Sequence, residues 1–316
     1  MPKTIVTHTN PDLDAVTGVW LLKRFHAMAE AEVAFVNTGN PDPDVLAEAT
    51  AVVDTGREFD DSRLRFDHHH LPGQAANDTC AARQVYEFVN YFLYSWSGSW
   101  ELDYLRPLVD LVFAGDTGRD EANQSRELGL HAIFAGYKSR MKDESEDGRV
   151  SDMAVLQMGF SLLDALETRL RKQVEVKRDL AQKVVYKSDD GQVWGIRHGT
   201  SGHAFAAYEA GARVVVFEGE PTEVEGGTTY PVGIMRAGEW QEPHVGELVE
   251  TILAGLRNYT ATDGQAEAIY SELDSWFKHP AGFFAGRGTP KAPVFEPVEI
   301  DLAWLAAEVS DAWERE

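Results

Sequence analysis

The sequence holds a single cysteine, Cys80, in 316 residues. That excludes an intramolecular disulfide framework and any cysteine-rich zinc module, and it suits a chain kept in a reducing compartment. Long apolar runs are missing too: none approaches the roughly 20 residues that cross a bilayer as a helix. The opening Met-Pro-Lys-Thr-Ile-Val-Thr-His puts polar residues where a secretory core should lie. The expectation is a cytoplasmic chain with no membrane partner. Basic residues are scarce, 29 Lys and Arg against 52 Asp and Glu, for a formal charge of −23. Such a surface repels a long polyphosphate backbone and argues against long duplex DNA as a partner. A small anionic substrate stays open, because a bound metal ion inverts the sign of a pocket. What is present is ordinary globular material, 43% hydrophobic and 26% charged, so disorder throughout is excluded.

The first half alternates strand-like and helix-like segments. Lys3–His8 is a short β-branched run, Ala15–Ala29 has helical periodicity, and Glu32–Asn37 is strand-like again. Asp44–Ala49 reads as helix, Ala51–Asp54 and Leu64–Asp67 as short buried strands, and Cys80–Tyr94 as a long helix. This βαβ rhythm predicts an α/β domain over 1–150, a parallel sheet with helices on both faces. A charged stretch, Ser139–Asp152, reads as a loop. A connecting helix follows over 151–183, with Leu162, Leu163, Leu166, Leu170 and Val174 on one stripe. That stripe predicts packing between two domains; its alternative use is the interface of a homodimer. Val184–Ser188 and Gln192–Arg197 read as a hairpin about Asp190-Gly191, opening a smaller α/β C-terminal domain over 184–316.

Polar clusters close the apolar segments of the first domain, and in a parallel sheet functional groups gather at the carboxyl ends of strands. His8-Thr-Asn-Pro-Asp12-Leu-Asp14 follows the first strand, and Asp54 closes Ala51–Val53. Asp67-His68-His69-His70 closes Leu64–Phe66, and Gly115-Asp116-Thr117-Gly118 follows the apolar segment Leu108–Ala114, taken as another strand. So many carboxylates on one rim raise each other's pKa and resist ionising together. Divalent cations remove that conflict, and mixed His and Asp ligation suits Mn²⁺ or a similar first-row ion. Two such ions about 3.5–4 Å apart are a common engine of phosphoryl hydrolysis.

In this order the clusters resemble the signature of the DHH phosphoesterases: an H-x-x-x-D-x-D turn, a lone Asp, an Asp-His-His triplet and a final Asp. The string from Val53 to His69 is similar to the Myg-type exonuclease branch, while the opening turn resembles the general DHH branch. The resemblance covers about residues 4–120. It implies that His8 and Asp12 hold one metal, Asp14, His68 and Asp116 the other, and that Asp54 bridges them. It implies a two-metal hydroxide mechanism with Mn²⁺, for which Mg²⁺ or Co²⁺ are substitutes. His69 would contact the phosphate and protonate the leaving oxygen, and Asp67 would orient an imidazole from behind. Asn10 is placed either to donate to a phosphate oxygen or to shape the turn with Pro11. His70, one imidazole beyond the triplet, is a further candidate substrate contact.

For the far side of a substrate the second domain offers three candidates. Ser201-Gly202-His203-Ala-Phe-Ala-Ala207 resembles the G-G-H-x-x-A-A core of the DHH-associated domain, with Ser201 in place of a glycine, and makes His203 a substrate residue. Gly282–Lys291 is rich in glycine and carries Arg287 and Lys291 as cationic phosphate contacts. Arg236, ending a strand over Val232–Met235, is the third. The expected function is Mn²⁺-dependent hydrolysis of phosphodiester bonds in short oligonucleotides or dinucleotides. An inorganic pyrophosphatase or exopolyphosphatase is the alternative enzyme, and a non-catalytic nucleotide sensor the alternative of another class.

Overall fold

A computed structural model describes residues 2–38, 40–98, 102–119, 128–224, 227–237, 276–279, 284–287 and 301–313, except the side chains of Gln74, Lys278 and Arg287. The chain divides into two units, Met1–Arg171 and Lys172–Glu316.

In the first unit, β1 (Thr4–His8) leads into α1 (Leu13–Phe25), then β2 (Glu32–Val36), α2 (Pro43–Glu48), β3 (Ala51–Val53) and β4 (Arg65–Phe66). The helices α3 (Ala81–Ser97), α4 (Arg106–Asp116) and α5 (Leu130–Glu144) follow, and then the 32-residue α6 (Asp152–Lys183). The four strands are parallel in the order β2-β1-β3-β4. Strand alternation gives β1 two buried faces. Ile5 joins Val53 and Phe66 in a core with α1, α3, α4 and the start of α6, whereas Val6 joins Val36 and Val52 under Leu46 of α2. Helices therefore cover both faces. The strand order reverses between β1 and β3, and at such a switch point a crevice opens beyond the carboxyl ends of the strands.

Helix α1 is buried along Leu13–Leu22. A Cβ at Gly18 would lie 2.6 Å from Val53 Cγ1, so glycine there lets α1 lie flat against β3. Asp12 caps α1, its Oδ1 accepting the Ala15 N–H at 3.0 Å.

Two expectations need correction. Leu108–Ala114 lies within helix α4, not in a strand, so Asp116 ends a helix. A continuous apolar run fits a buried strand and a helix alike, and the preceding Pro107 at the first turn favours a helix start. The charged stretch from Ser139 is helical as far as Glu144, carried by α5, which leaves only a short connection before α6. On α6 itself, Leu163 is buried in the first unit's core with Leu162, Leu166 and Leu170 packed against that core, while Val174 is exposed.

The second unit holds β5 (Val184–Lys187), β6 (Val193–Ile196), α7 (Ser201–Glu209), β7 (Val214–Glu218), β8 (Thr222–Val224), β9 (Gly227–Thr229), β10 (Val232–Arg236), β11 (Phe277–Lys278), β12 (Phe284–Arg287) and α8 (Leu302–Trp313). Six of the strands form one sheet in the order β11-β12-β10-β7-β6-β5, parallel only between β6 and β7. Helix α8 covers one face through Leu302, Leu305 and Val309. Helix α7 and Leu180 of α6 cover the other. The middle of the Gly282–Lys291 stretch is the strand β12, paired with β10, rather than a phosphate loop. Among the described residues, no helix is long and apolar enough to cross a membrane.

Candidate metal centre

His8 ends β1, Asp54 follows β3, and Asp67 and His68 follow β4, so three adjacent strands deliver their next side chains to the switch point. Asp12 and Asp14 arrive on the first turn of α1, and Asp116 on the last turn of α4. Three overlapping sets of ligand atoms result, each with its members within 4.8 Å of one another: His8, Asp12 and Asp54; Asp14, His68 and Asp116; Asp54, His68 and His69. Asp54 lies between the first two. Its Oδ2 is 3.1 Å from His8 Nε2, while its Oδ1 is 3.8 Å from His68 Nε2. His68 Nε2 is in turn 3.6 Å from Asp116 Oδ2.

Both imidazoles are turned the same way by the backbone. His8 Nδ1 donates to the Thr9 carbonyl at 2.8 Å, and His68 Nδ1 to the Ala76 carbonyl at 2.9 Å. With the proton on Nδ1, each Nε2 presents a lone pair toward carboxylate oxygens, an arrangement that a shared proton or a bound cation reconciles. Asp54 Oδ1, His68 Nε2 and Asp116 Oδ2 are buried without a hydrogen-bond partner among the described residues. Buried polar atoms rarely go unsatisfied, and these three converge on one another. The donor set, nitrogen and carboxylate oxygen without thiolate, fits first-row divalent ions.

Electrostatics agree. Burial, and then the charges of Asp116 and Asp12, push Asp14 up to about 7. Burial and the charges of Asp14 and Asp12 drive Asp54 well above the usual carboxylate range. Burial also raises Asp116, against the pull of His68. Asp14 is nonetheless firmly placed, since its two oxygens accept the Ala81 and Ala82 N–H groups, both at 2.8 Å, at the start of α3.

Asp67 behaves differently. Burial raises it, but hydrogen bonds from the His69 ring, the His69 N–H and the Arg57 N–H outweigh that and hold it below its ordinary value. Its Oδ1 accepts both His69 Nδ1 and His69 N at 2.8 Å. That bond, against an opposing burial effect, raises His69 to about 9. His69 Nδ1 is thus committed to Asp67, which makes it the poorest ligand of its set, while the side chain is 56% exposed. His70 is exposed beside it.

Asn10 adopts φ +53°, inside the metal turn. Its N–H donates to Asp152 Oδ1 at 2.6 Å, and Lys138 Nζ donates to the carbonyls of Pro11 at 3.0 Å and Asn10 at 3.3 Å. Asn10 therefore shapes the turn, and Lys138 and Asp152 clamp it. No local signal marks that clamp in the sequence, because its partners lie 127 or more positions away. A second support is His131, whose Nε2 lies 3.1 Å from the Val112 carbonyl of α4.

The candidates of the second unit that fall on described residues lie within that unit's own elements. His203 is buried, its Nδ1 accepting the Thr200 N–H at 3.0 Å and its Nε2 lying 2.9 Å from Asp179 Oδ1. Both nitrogens are committed, so the ring caps α7 instead of offering itself to a ligand. Arg236 is buried at the end of β10. Arg287 takes part in β12 by its backbone, and its side chain and all of Lys291 lie outside the described residues.

Solved structures similar to this chain include RecJ from Thermus thermophilus in complex with Mn²⁺, at 16% identity and a TM-score of 0.30, covering 99% of this chain and 52% of RecJ. Another is an uncharacterised protein from Helicobacter pylori, at 13% identity and a TM-score of 0.24, covering 100% of this chain and 98% of that one. The chain thus spans about half the length of the RecJ it matches. No curated protein matches. Residues 4–83, from β1 to the start of α3, match the model of the MYG1_exonuc family, described as an uncharacterised protein family (UPF0160).

Proposed function

We propose that the protein is a metal-dependent phosphoesterase that hydrolyses phosphodiester bonds of small nucleotide substrates, short oligonucleotides or linear dinucleotides, with Mn²⁺ as the working ion. The observation that carries this reading is the convergence of three orphaned buried atoms, Asp54 Oδ1, His68 Nε2 and Asp116 Oδ2, beside His8, Asp12 and Asp14. The match of residues 4–83 to a family model whose name denotes an exonuclease supports the same class.

His8 and Asp12 would hold one ion, Asp14, His68 and Asp116 a second, and Asp54 both. Ions held there would supply a nucleophilic hydroxide at neutral pH and draw charge from the phosphoryl oxygens. The chain's own part is positioning and proton supply. The backbone carbonyls of Thr9 and Ala76 fix the imidazoles, and the α3 N-terminus fixes Asp14. His69, protonated and anchored to Asp67 through Nδ1, keeps Nε2–H free to donate to the leaving oxygen.

The test is a product assay with and without Mn²⁺ on a linear dinucleotide, a cyclic dinucleotide, a short 5′-labelled RNA and pyrophosphate. Mononucleotides from the dinucleotide or RNA, with pyrophosphate untouched, are expected. Phosphate from pyrophosphate alone would replace this reading with the pyrophosphatase one.

A further inference from the structure

A cavity of about 470 Å³ adjoins the metal centre and shares Asp54, Asp67 and His69 with it. The rest of its lining is Thr38, Asn40, Pro41, Thr55, Gly56 and Arg57, and its size is that of a nucleotide-sized pocket. Thr55 is 5% exposed, and its Oγ1 has no hydrogen-bond partner among the described residues.

Arg57 is the unusual member. Of the three arginines on this segment, Arg63 pairs with Glu58 at 2.6 Å, and Arg65 is buried on the carbonyls of Ala49 and Arg63. The exposed Arg57 guanidinium has no ion pair or hydrogen bond among the described residues. Its backbone is nevertheless pinned: φ is +56°, a region that side chains other than glycine avoid, and its N–H donates to Asp67 Oδ2 at 2.7 Å. Asp67 holds His69 with the other oxygen. One carboxylate therefore holds both the His69 ring and the Arg57 backbone, and both residues line the same cavity.

We propose that this cavity receives the terminal, phosphate-bearing residue of the substrate, with Arg57 binding that terminal phosphate. Arg57 then makes the centre prefer phosphorylated over hydroxyl-ended substrates. The scissile phosphate goes to the metal ligands, while a second phosphate needs a fork of N–H donors, which a guanidinium supplies and an unbranched ammonium reproduces only in part. Thr55, Thr38 and Asn40 supply neutral donors beside it. This inference rests on the phosphoesterase reading above.

The experiment compares diadenylates with an uncleavable methylenephosphonate linkage bearing a 5′-phosphate, a 3′-phosphate or neither, titrated calorimetrically into Mn²⁺-loaded protein. Wild type is expected to bind one phosphorylated form at least about tenfold more tightly than the unphosphorylated one, the scale of a lost charge-assisted contact. In Arg57→Gln and Arg57→Gly that preference falls to within about twofold, with unphosphorylated diadenylate bound as before; Arg57→Lys retains part of it. Arg57→Gly also relieves the positive φ, so it melts no lower than wild type, and lost preference there cannot be lost folding. A preference that survives Arg57→Gln, a parallel fall for all three ligands, or no preference in wild type overturns the inference. An Arg57-dependent preference without cleavage of the natural diadenylates sinks the phosphoesterase reading alone.

Discussion

Removing the metal should make the protein's stability fall as pH rises through the neutral range. A carboxyl whose folded pKa exceeds its unfolded one ionises first in the unfolded chain, so the folded state loses ground as pH climbs from the unfolded value to the folded one. Asp14 is displaced from 3.8 to about 7. Across the two pH units from about 5 to about 7, that one group costs on the order of 3 kcal/mol. For a unit of this size, a loss of this order lowers Tm by roughly 10 °C. Asp54 and Asp116 are raised too and act in the same direction. His69, raised to about 9 and half-exposed, contributes stability below 6.5 that is lost as pH rises through 9, again with the same sign. Mn²⁺ competes with those protons and should abolish the decline. The assay is thermal unfolding from about pH 5 to 8, after chelation and again with Mn²⁺ in excess. A chelated protein whose Tm is flat or rises between pH 5 and 7, or a decline that Mn²⁺ leaves unchanged, refutes the argument.

Other expectations follow from the supports of the centre. A Cβ at Gly115 would lie 2.0 Å from His131 Nε2; Gly115→Ala should displace the end of α4 that carries Asp116 and weaken Mn²⁺ binding at least about tenfold, read by calorimetry. Lys138→Met leaves the Asn10 and Pro11 carbonyls unanswered and should weaken Mn²⁺ binding while lowering Tm by only a few degrees, because the contact is only half-buried. Asp67→Asn replaces the charged acceptor of the His69 ring by a neutral one, so an NMR titration should find His69 moved from about 9 toward its ordinary 6.5.

Much of the centre is legible in the sequence because strands advertise their ends. His8, Asp54, Asp67 and His68 each follow a β-branched or apolar run, and a parallel sheet places such residues side by side. Asp116 is legible as a residue but not as a position. Its apolar run packs as a helix, and only the fold shows that the last turn of α4 reaches His68. The Lys138 and Asp152 clamp is invisible to pattern, since α5 and α6 meet the metal turn through tertiary packing alone. Arg57 is hidden for another reason: nothing in Thr-Gly-Arg announces a positive φ at an arginine, or that its N–H donates to Asp67 ten residues downstream. His203 shows the reverse case. Its motif suggests a ligand contact, yet burial and the bonds to Thr200 and Asp179 commit both nitrogens to the fold.

The proposed reaction is phosphodiester hydrolysis at metal ions that Asp54 would hold. The most direct measurement is the release of mononucleotides from a linear dinucleotide by wild type and Asp54→Ala in Mn²⁺, with bound manganese counted in each. Metal-dependent release by the wild type, loss of turnover in the variant, and loss of at least one tightly bound ion are expected. Full activity in Asp54→Ala, or no release by a wild type that carries its manganese, would contradict it.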